Sequence, residues 1–461
     1  MRIYHLTDQS LWLDELFTYN VAQLSFVQIW NFTVSTFDVH PTIFYWLEHI
    51  ALLIFGNTTF ALRIFPAIFG TLTIPIFYYI GKELTDSKPF GILMAVIITI
   101  TTFHIYHSQD ARMYALYVFF FSIALYYLIK FYHTNKISHS IIAFLCVALC
   151  VYTHFTGLLI GAALILLSLA MRNKNMIYGS ITFILACLPV LPTIISVMFL
   201  TPGNPFYIEG GRVVAFVGID AVIRTITYLL GSSSFSIILF LISIVGIFRF
   251  FEKNYKLSLF CITFLILSFI TIGVLSYKLP LEPRHFIYLL PIIIILIAYG
   301  IESMYSMLRN KYQTIPSYML VSLFALLLLL ANTPMLSFYY TENTKSDYKG
   351  LSEKLTYITN DNNIVVLVPG GTQRVFDAYY STSSDNTRTY YINNIGDFSN
   401  VLSTKHTCCS CNKSCIPWRV IVVVASDIKY DPHGEEYQNI LTSNNAKHIE
   451  TYDSFEIYEI I

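Results

Sequence analysis

The stretch "FHIYHSQDARMYALYVFFFSIALYYLIK" (Phe103–Lys130) places a cluster of polar residues directly before a long apolar run. The run from Met113 to Ile129 carries no charged residue, and it approaches the roughly 20 residues that a helix needs to cross a bilayer. Only 12% of the 461 residues are charged and 55% are hydrophobic, with a mean hydropathy of +0.60. Soluble domains carry roughly 25% charged residues. The sequence therefore predicts a polytopic α-helical membrane protein.

Ten apolar segments of this kind recur along the chain. They are 60–81, 89–106, 112–131, 137–153, 155–171, 177–199, 234–251, 257–276, 284–300 and 316–333. Two further apolar stretches are not counted as spans. The stretch 41–55 is too short, and 213–230 carries Asp220 and Arg224 four residues apart, which suits a helix that lies at the membrane interface.

The charges of the loops predict the topology. Alternate loops collect Lys82 and Lys88, Lys130 and Lys136, Arg172 and Lys174, Arg249, Lys253 and Lys256, and Arg309 and Lys311. Cytoplasmic loops are enriched in such residues, so both chain ends are expected outside the cytoplasm at the plasma membrane. Residues 1–334 would form the transmembrane domain. Residues 335–461, with β-branched runs such as "NIVVLVPGG" between polar stretches, would form a small extracytoplasmic α/β domain.

The eight cysteines fall into two groups. Four lie in "HTCCSCNKSC" (residues 406–415), where disulfides are expected outside the cytoplasm and a zinc knuckle using His406 is the alternative. The other four lie in apolar spans and are expected to be packing residues: Cys146, Cys150, Cys187 and Cys261. The net charge of zero gives no indication of nucleic acid as a partner.

Ionisable residues gather in the predicted outer loops rather than in the middle of the spans. The clusters are Asp14–Glu15; Asp38 and His40; His104, His107, Asp110 and Arg112; and Lys278, Glu282, Arg284 and His285, with His154 on the same side. A carboxylate can act as a general base toward a hydroxyl group. Arginine binds phosphate through paired hydrogen bonds and stabilises charge that develops on it. The clusters therefore predict an outer-face site for an anionic lipid, against the alternative of merely solvated loops.

Six motifs follow one another in a specific order: "SLWLDE", "DVHP", "ALRIFPAIFG", "YHSQDARMYAL", "VYTHFTG" and "EPRHFIYLLP". Over about residues 6–300 this ordered set resembles the GT-C superfamily of membrane glycosyltransferases. It is most similar to the protein O-mannosyltransferase-like branch (glycosyltransferase family 39-like), which includes the aminoarabinose transferase of lipid A. The resemblance implies an inverting transferase that moves a monosaccharide from a polyprenyl-phosphate donor to a hydroxyl acceptor on the outer face.

The resemblance also implies a role for each site residue. Asp14 would be the catalytic base. The residues that shape the site would be Glu15, Asp38 and Asp110, and Asp110 would either brace Arg112 or touch substrate or metal. The donor phosphate would be bound by His40, Arg112 and Arg284. His104, His107 and His285 are interpreted as loop histidines rather than ligands.

The expected partners are the lipid-linked donor, membrane lipid and a protein, glycolipid or glycan acceptor. No cofactor is certain, and a divalent metal ion stays an open option. The chain departs from the family where Thr42 replaces the second proline of "HPP", and the helix that precedes the "DE" pair in relatives is expected to be missing. The alternative functions are a transporter or flippase for lipid-linked sugars, which should show interrupted helices in two halves, and a non-catalytic scaffold.

Overall fold

The computed structural model describes residues 1–35, 40–195, 217–231, 233–277, 281–311, 316–341, 345–359, 363–368, 376, 388–391, 419–425, 441–453 and 455–460. These residues form two compact units. The membrane unit contains Met1–Leu6 and the described residues from Thr18 to Thr341. The second unit, here called the sheet unit, contains residues 7–17 and the described residues from 345 onward.

The helices of the described residues are α1 (Leu13–Ala22), α2 (Phe26–Ser35), α3 (Thr42–Phe55), α4 (Thr59–Thr85), α5 (Lys88–Ile100), α6 (Thr102–Ser108), α7 (Tyr114–Thr134), α8 (Ile137–Thr153), α9 (Gly157–Met171), α10 (Lys174–Cys187), α11 (Leu191–Ile195), α12 (Ile219–Leu230), α13 (Ser233–Lys253), α14 (Tyr255–Leu275), α15 (Leu290–Lys311), α16 (Ser317–Thr341) and α17 (Tyr348–Ile358). Two 3-10 helices span Leu188–Val190 and Pro283–Leu289. Strands β1 (Asn363–Val368), β2 (Arg388–Tyr391), β3 (Arg419–Ala425), β4 (Lys447–Tyr452) and β5 (Phe455–Ile460) lie in the sheet unit.

Each predicted span overlaps at least one of these helices. Within the described residues, five helical segments are long and apolar enough to cross a membrane: Thr59–Thr85, Tyr114–Thr134, Lys174–Ile194, Tyr255–Leu275 and Pro283–Arg309. Two helix pairs bent by 62° and 48° raise the number to seven. The predicted count of ten is not reached on these criteria. One reason is that α8 and α9 have only 17 and 15 residues, fewer than the roughly 20 of a full span.

The 62° bend separates α5 from α6 at Thr101. A helix end leaves its last carbonyl groups without partners in the helix, and here the buried Arg2 supplies donors. Its Nη2 donates to the carbonyl of Ile98 at 2.8 Å, and its Nη1 donates to that of Thr99 at 3.4 Å. The bend turns the chain toward the polar segment after α6, and Arg2 stabilises the bent geometry.

A close approach of backbones joins α13 to α15. A Cβ atom added to Gly246 would overlap the carbonyl of Leu296, and one added to Gly300 would overlap the carbonyl of Ile242. Only glycine at both positions lets the two helices meet at this distance, and small residues are the usual device for close packing inside a membrane.

The sheet unit contains one five-stranded sheet with the strand order β2-β1-β3-β5-β4. Strand β1 pairs in parallel with β2 and β3, whereas β5 pairs antiparallel with β3 and β4. The central strands β1 and β3 are nearly continuous runs of Val and Ile because both of their faces are covered. Their inward side chains form a buried core with Leu441 and Ile460.

The helical fold with a small C-terminal sheet domain was predicted correctly, and the chain is a multi-pass membrane protein. The four cysteines expected in spans are unpaired, and three of them are buried. Helix α16 continues beyond residue 334 to Thr341. Asp38, Lys278 and the cysteine cluster at 406–415 lie outside the described residues.

Candidate active site

Arg112 lies between α6 and α7 and is almost completely buried, with 4% of its surface exposed. Its Nη2 donates to Nε2 of His40 at 3.1 Å, and its Nη1 donates to Oγ1 of Thr18 at 3.3 Å. A buried charge is strongly unfavourable unless such partners surround it. Two residues that the sequence predicted for one site, His40 and Arg112, therefore meet in the membrane unit although 72 positions separate them.

The hydrogen bonds of His40 and His154 show which ring nitrogen of each imidazole carries a proton. A guanidinium group only donates, so Nε2 of His40 is the acceptor and carries no proton. The ring of His154 lies 6.0 Å from that of His40, and its Nδ1 accepts the backbone N–H of Thr156 at 3.2 Å. Burial lowers the pKa of His154 to about 3, and the charge of Arg112 acts in the same direction. His154 is therefore neutral at physiological pH and carries its proton on Nε2.

A third imidazole continues this row. The ring of His285 lies 6.0 Å from that of His154, and its Nδ1 accepts the backbone N–H of Glu282 at 3.2 Å. Arg284, the second predicted phosphate ligand, pairs through Nε with Oε2 of Glu282 at 2.9 Å. Arg284 and Arg112 both lie close enough to the His285 ring for their charges to interact with it electrostatically. Arg284 thus borders the group formed by Thr18, His40, Arg112, His154 and His285, here called the His40–Arg112 cluster.

Asp110 lies fully buried at the edge of this cluster. Its Oδ2 is 3.8 Å from Nδ1 of His107, and its backbone carbonyl accepts the N–H of Arg112 at 2.7 Å. His104 and His107 differ from the expectation of loop histidines. Both are buried on α6, where His104 lies 2.9 Å from Nη2 of Arg2.

The chemistry of the His40–Arg112 cluster suits an anion. Arg112 supplies a fixed positive charge, and the neutral rings of His154 and His285 carry N–H donors on Nε2. Electrostatic attraction is stronger in such a buried environment than in water, and arginine can bind phosphate oxygens in a bidentate manner. The cluster has the composition of a phosphate site.

Two adjacent acids in the first turn of α1 have different surroundings. Glu15 is fully buried, its Oε1 lies 2.9 Å from Nζ of Lys345, and its Oε2 accepts the backbone N–H of Trp12 at 3.4 Å. This contact is the reverse half of a capping box. Asp14 is only half-buried. Adjacent carboxylates in different environments can take different roles.

The segment before α1 is anchored within the sheet unit by Asp347. This carboxylate accepts hydrogen bonds from Oγ of Ser10 at 2.7 Å, from the hydroxyl of Tyr452 at 2.8 Å and from the backbone N–H of Gly350 at 3.0 Å. Burial disfavours its charged form, but these bonds outweigh burial and lower the pKa of Asp347. Its anion therefore ties residues 7–17 to α17 and β4.

The remaining predictions for the site stay predictions. Asp38 lies outside the described residues, and Asp14 and Glu15 belong to the sheet unit, whereas the predicted phosphate ligands belong to the membrane unit. Among the described residues, no group of three His, Cys, Asp or Glu side chains is arranged to hold a metal ion, and a divalent metal stays an open option.

The sequence did not reveal three residues that the structure adds to these sites: Thr18, Lys345 and Asp347. No local signal links Lys345 to Glu15 or Asp347 to Ser10, because more than 300 residues separate the partners in each pair.

Comparisons with known proteins found one matching family model and several solved structures with a similar fold. Residues 39–198 match the family model described as dolichyl-phosphate-mannose-protein mannosyltransferase. No curated protein sequence matches the chain at a significant level. The chain is similar in structure to ArnT from Cupriavidus metallidurans in the apo state, with a TM-score of 0.65, 10% identity and coverage of 100% of this chain and 96% of that one.

Two further solved structures share the fold. One is the same ArnT bound to undecaprenyl phosphate, with a TM-score of 0.63, 11% identity and coverage of 100% of this chain and 96% of that one. The other is an Archaeoglobus fulgidus oligosaccharyltransferase tethered with an acceptor peptide, with a TM-score of 0.57 and 14% identity. It matches over 92% of this chain and 66% of its own length. At such identities the likeness establishes the fold alone.

Proposed function

We propose that this chain, which matches a mannosyltransferase family model over residues 39–198 and shares the fold of ArnT, is a GT-C glycosyltransferase that transfers a monosaccharide from a polyprenyl-phosphate donor to a hydroxyl acceptor outside the cytoplasm. The observation that carries the proposal is the buried His40–Arg112 cluster, whose fixed charge and N–H donors suit a phosphate. The undecaprenyl phosphate bound to ArnT supports a lipid-linked phosphate as the donor. The acceptor is a protein, a glycolipid or a glycan.

The reaction proposed is a single displacement at the anomeric carbon. The carboxylate of Asp14 takes the proton of the acceptor hydroxyl as its oxygen forms the new bond to the sugar. The bond between the anomeric carbon and the phosphate oxygen breaks, and both of its electrons leave with the polyprenyl phosphate. Attack from the face opposite the leaving group inverts the anomeric centre, as in inverting glycosidases.

The phosphate leaves as an anion, so the reaction needs no acid to protonate it. Arg112 stabilises the charge that grows on the phosphate oxygens, and Arg284 contributes at the edge of the cluster. Pre-oriented donors of this kind give the largest single contribution in many enzymes. Within the acid pair, Asp14 is the partly exposed carboxylate, whereas Glu15 is held by Lys345 and by the start of α1.

The test follows labelled sugar. Purified protein would be incubated with a panel of radiolabelled polyprenyl-phosphate sugars and native membranes, beside Asp14→Asn and the control Asp220→Asn, which changes an exposed acid on α12. We expect label to move into an acceptor with the wild type and Asp220→Asn but not with Asp14→Asn. Transfer by Asp14→Asn at the wild-type rate would show that another group is the base. Donor binding without transfer in every variant would favour a flippase.

A further inference from the structure

A second polar site lies in the membrane unit, away from the His40–Arg112 cluster. A cavity of about 830 Å³ is lined by residues from the ends of α4, α7, α13 and α15. They include Tyr79, Lys82, His133, Lys253, Tyr305 and Arg309. Ligand sites in proteins commonly have volumes of roughly 300–1,000 Å³, so the cavity has room for a lipid headgroup.

Helix α7 gives the distance between the two sites. Its first residue, Tyr114, lies 6.3 Å from the ring of His154 in the His40–Arg112 cluster, whereas His133 near its end lines the cavity. The 19 steps along the helix from Tyr114 to His133 span about 28 Å at a rise of 1.5 Å per residue. This length is close to the roughly 30 Å thickness of the hydrocarbon core. The cavity therefore lies at the membrane surface opposite the cluster.

The charges of the cavity are not balanced. Two of its acids have cationic or histidine partners: Glu302 receives two hydrogen bonds from Arg249 at 2.7 and 3.1 Å, and Glu83 lies 3.4 Å from His133. Within the described part of the chain, Lys82, Lys253 and Arg309 make no ion pair, and neither does the remaining acid, Asp86. Three cations thus face one unpaired carboxylate, and the excess charge is positive.

The other lining residues fit the headgroup region. Tyr79, Tyr126, Tyr299 and Tyr305 surround the cavity, and tyrosine is enriched where a protein meets the headgroups of a bilayer. Basic pockets between transmembrane helices bind anionic headgroups. We propose that this cavity binds the phosphate-bearing headgroup of an anionic phospholipid from the leaflet on its side. The lipid site is separate from the proposed donor site and does not depend on the transfer reaction.

The experiment measures lipid binding to the full-length protein in detergent by native mass spectrometry. Phosphatidylglycerol and phosphatidylcholine with identical acyl chains would be titrated against the wild type, against Lys82→Gln/Lys253→Gln and against the control Lys136→Gln/Lys174→Gln. The control removes two exposed lysines that do not line the cavity. A basic residue near a membrane surface contributes about 1 kcal/mol to binding of anionic lipid, so each lost lysine should weaken binding about fivefold.

We expect phosphatidylglycerol to bind more tightly than phosphatidylcholine and the cavity variant to lose about 25-fold in affinity, while the control stays near the wild type. Equal binding of both lipids, or an equal loss in the control variant, would overturn the site. A parallel titration with inorganic phosphate separates a lipid from a soluble anion. Displacement of phosphatidylglycerol by millimolar phosphate alone would overturn the assignment to a lipid.

Discussion

Replacing Lys345 by methionine tests the contact that fixes Glu15. The pair is buried, with side-chain exposures of 6% for Lys345 and 0% for Glu15, and its atoms are 2.9 Å apart. Removing one partner of a buried ion pair costs about 3–5 kcal/mol, because the other charge stays behind without compensation. This loss lowers the free energy required for local opening of the segment around Glu15. At about 1.4 kcal/mol per factor of ten, opening of this segment should become about 100- to 4,000-fold more frequent.

Hydrogen–deuterium exchange of the full-length protein in detergent measures that opening. In Lys345→Met we expect amide exchange in residues 10–17 to accelerate by this factor. The double variant Glu15→Gln/Lys345→Met should return most of the protection, since a pair of neutral groups leaves no buried charge. Lys447→Met, which changes an exposed lysine on β4, is the matched control. Unchanged exchange in Lys345→Met, or a double variant that exchanges as fast as the single one, would refute the reasoning.

Three further predictions concern the membrane unit. Arg112→Gln should lower the turnover number by about 10²–10³, the loss typical for one donor to a developing anion, and a wild-type rate with radiolabelled donor would contradict this role. Gly300→Leu should prevent the approach of α13 and α15, because its side chain meets the carbonyl of Ile242; size-exclusion chromatography should show little folded protein. The lowered pKa of His154, about 3 against an ordinary 6.5, means that the unfolded chain binds a proton between these values and the folded one does not. Stability then rises with pH across this window. Lowering the pH from 7.5 to 5 should therefore destabilise the wild type by about 2 kcal/mol more than His154→Gln. Thermal unfolding of both proteins at both pH values measures this difference. An equal loss of stability in the wild type and in His154→Gln would mean that the ring is charged in the folded protein.

Much of the fold could be predicted because its signals are local. A run such as Met113–Ile129 needs no partner to be recognised as a membrane helix, and the β-branched runs of β1 and β3 indicate buried strands by composition alone. The bend between α5 and α6 was not predicted, since hydropathy counts the segment 89–106 as one continuous span. Arg2, which donates hydrogen bonds at this bend, lies 96 residues before the carbonyl of Ile98. The break between α8 and α9 at His154, in contrast, was predicted, because the apolar segments 137–153 and 155–171 meet there.

The sequence by itself determined the membrane class, the helical segments, the strands of the sheet unit and the positions of the acids, histidines and arginines that carry chemistry. Each of these is a property of neighbouring residues and their periodicity. Only the tertiary structure decided which of them meet: Arg112 with His40 and Thr18, and Glu15 with Lys345. Such pairs leave no periodic trace along the chain, because burial of a charge sets a requirement for a partner without specifying where in the sequence that partner lies.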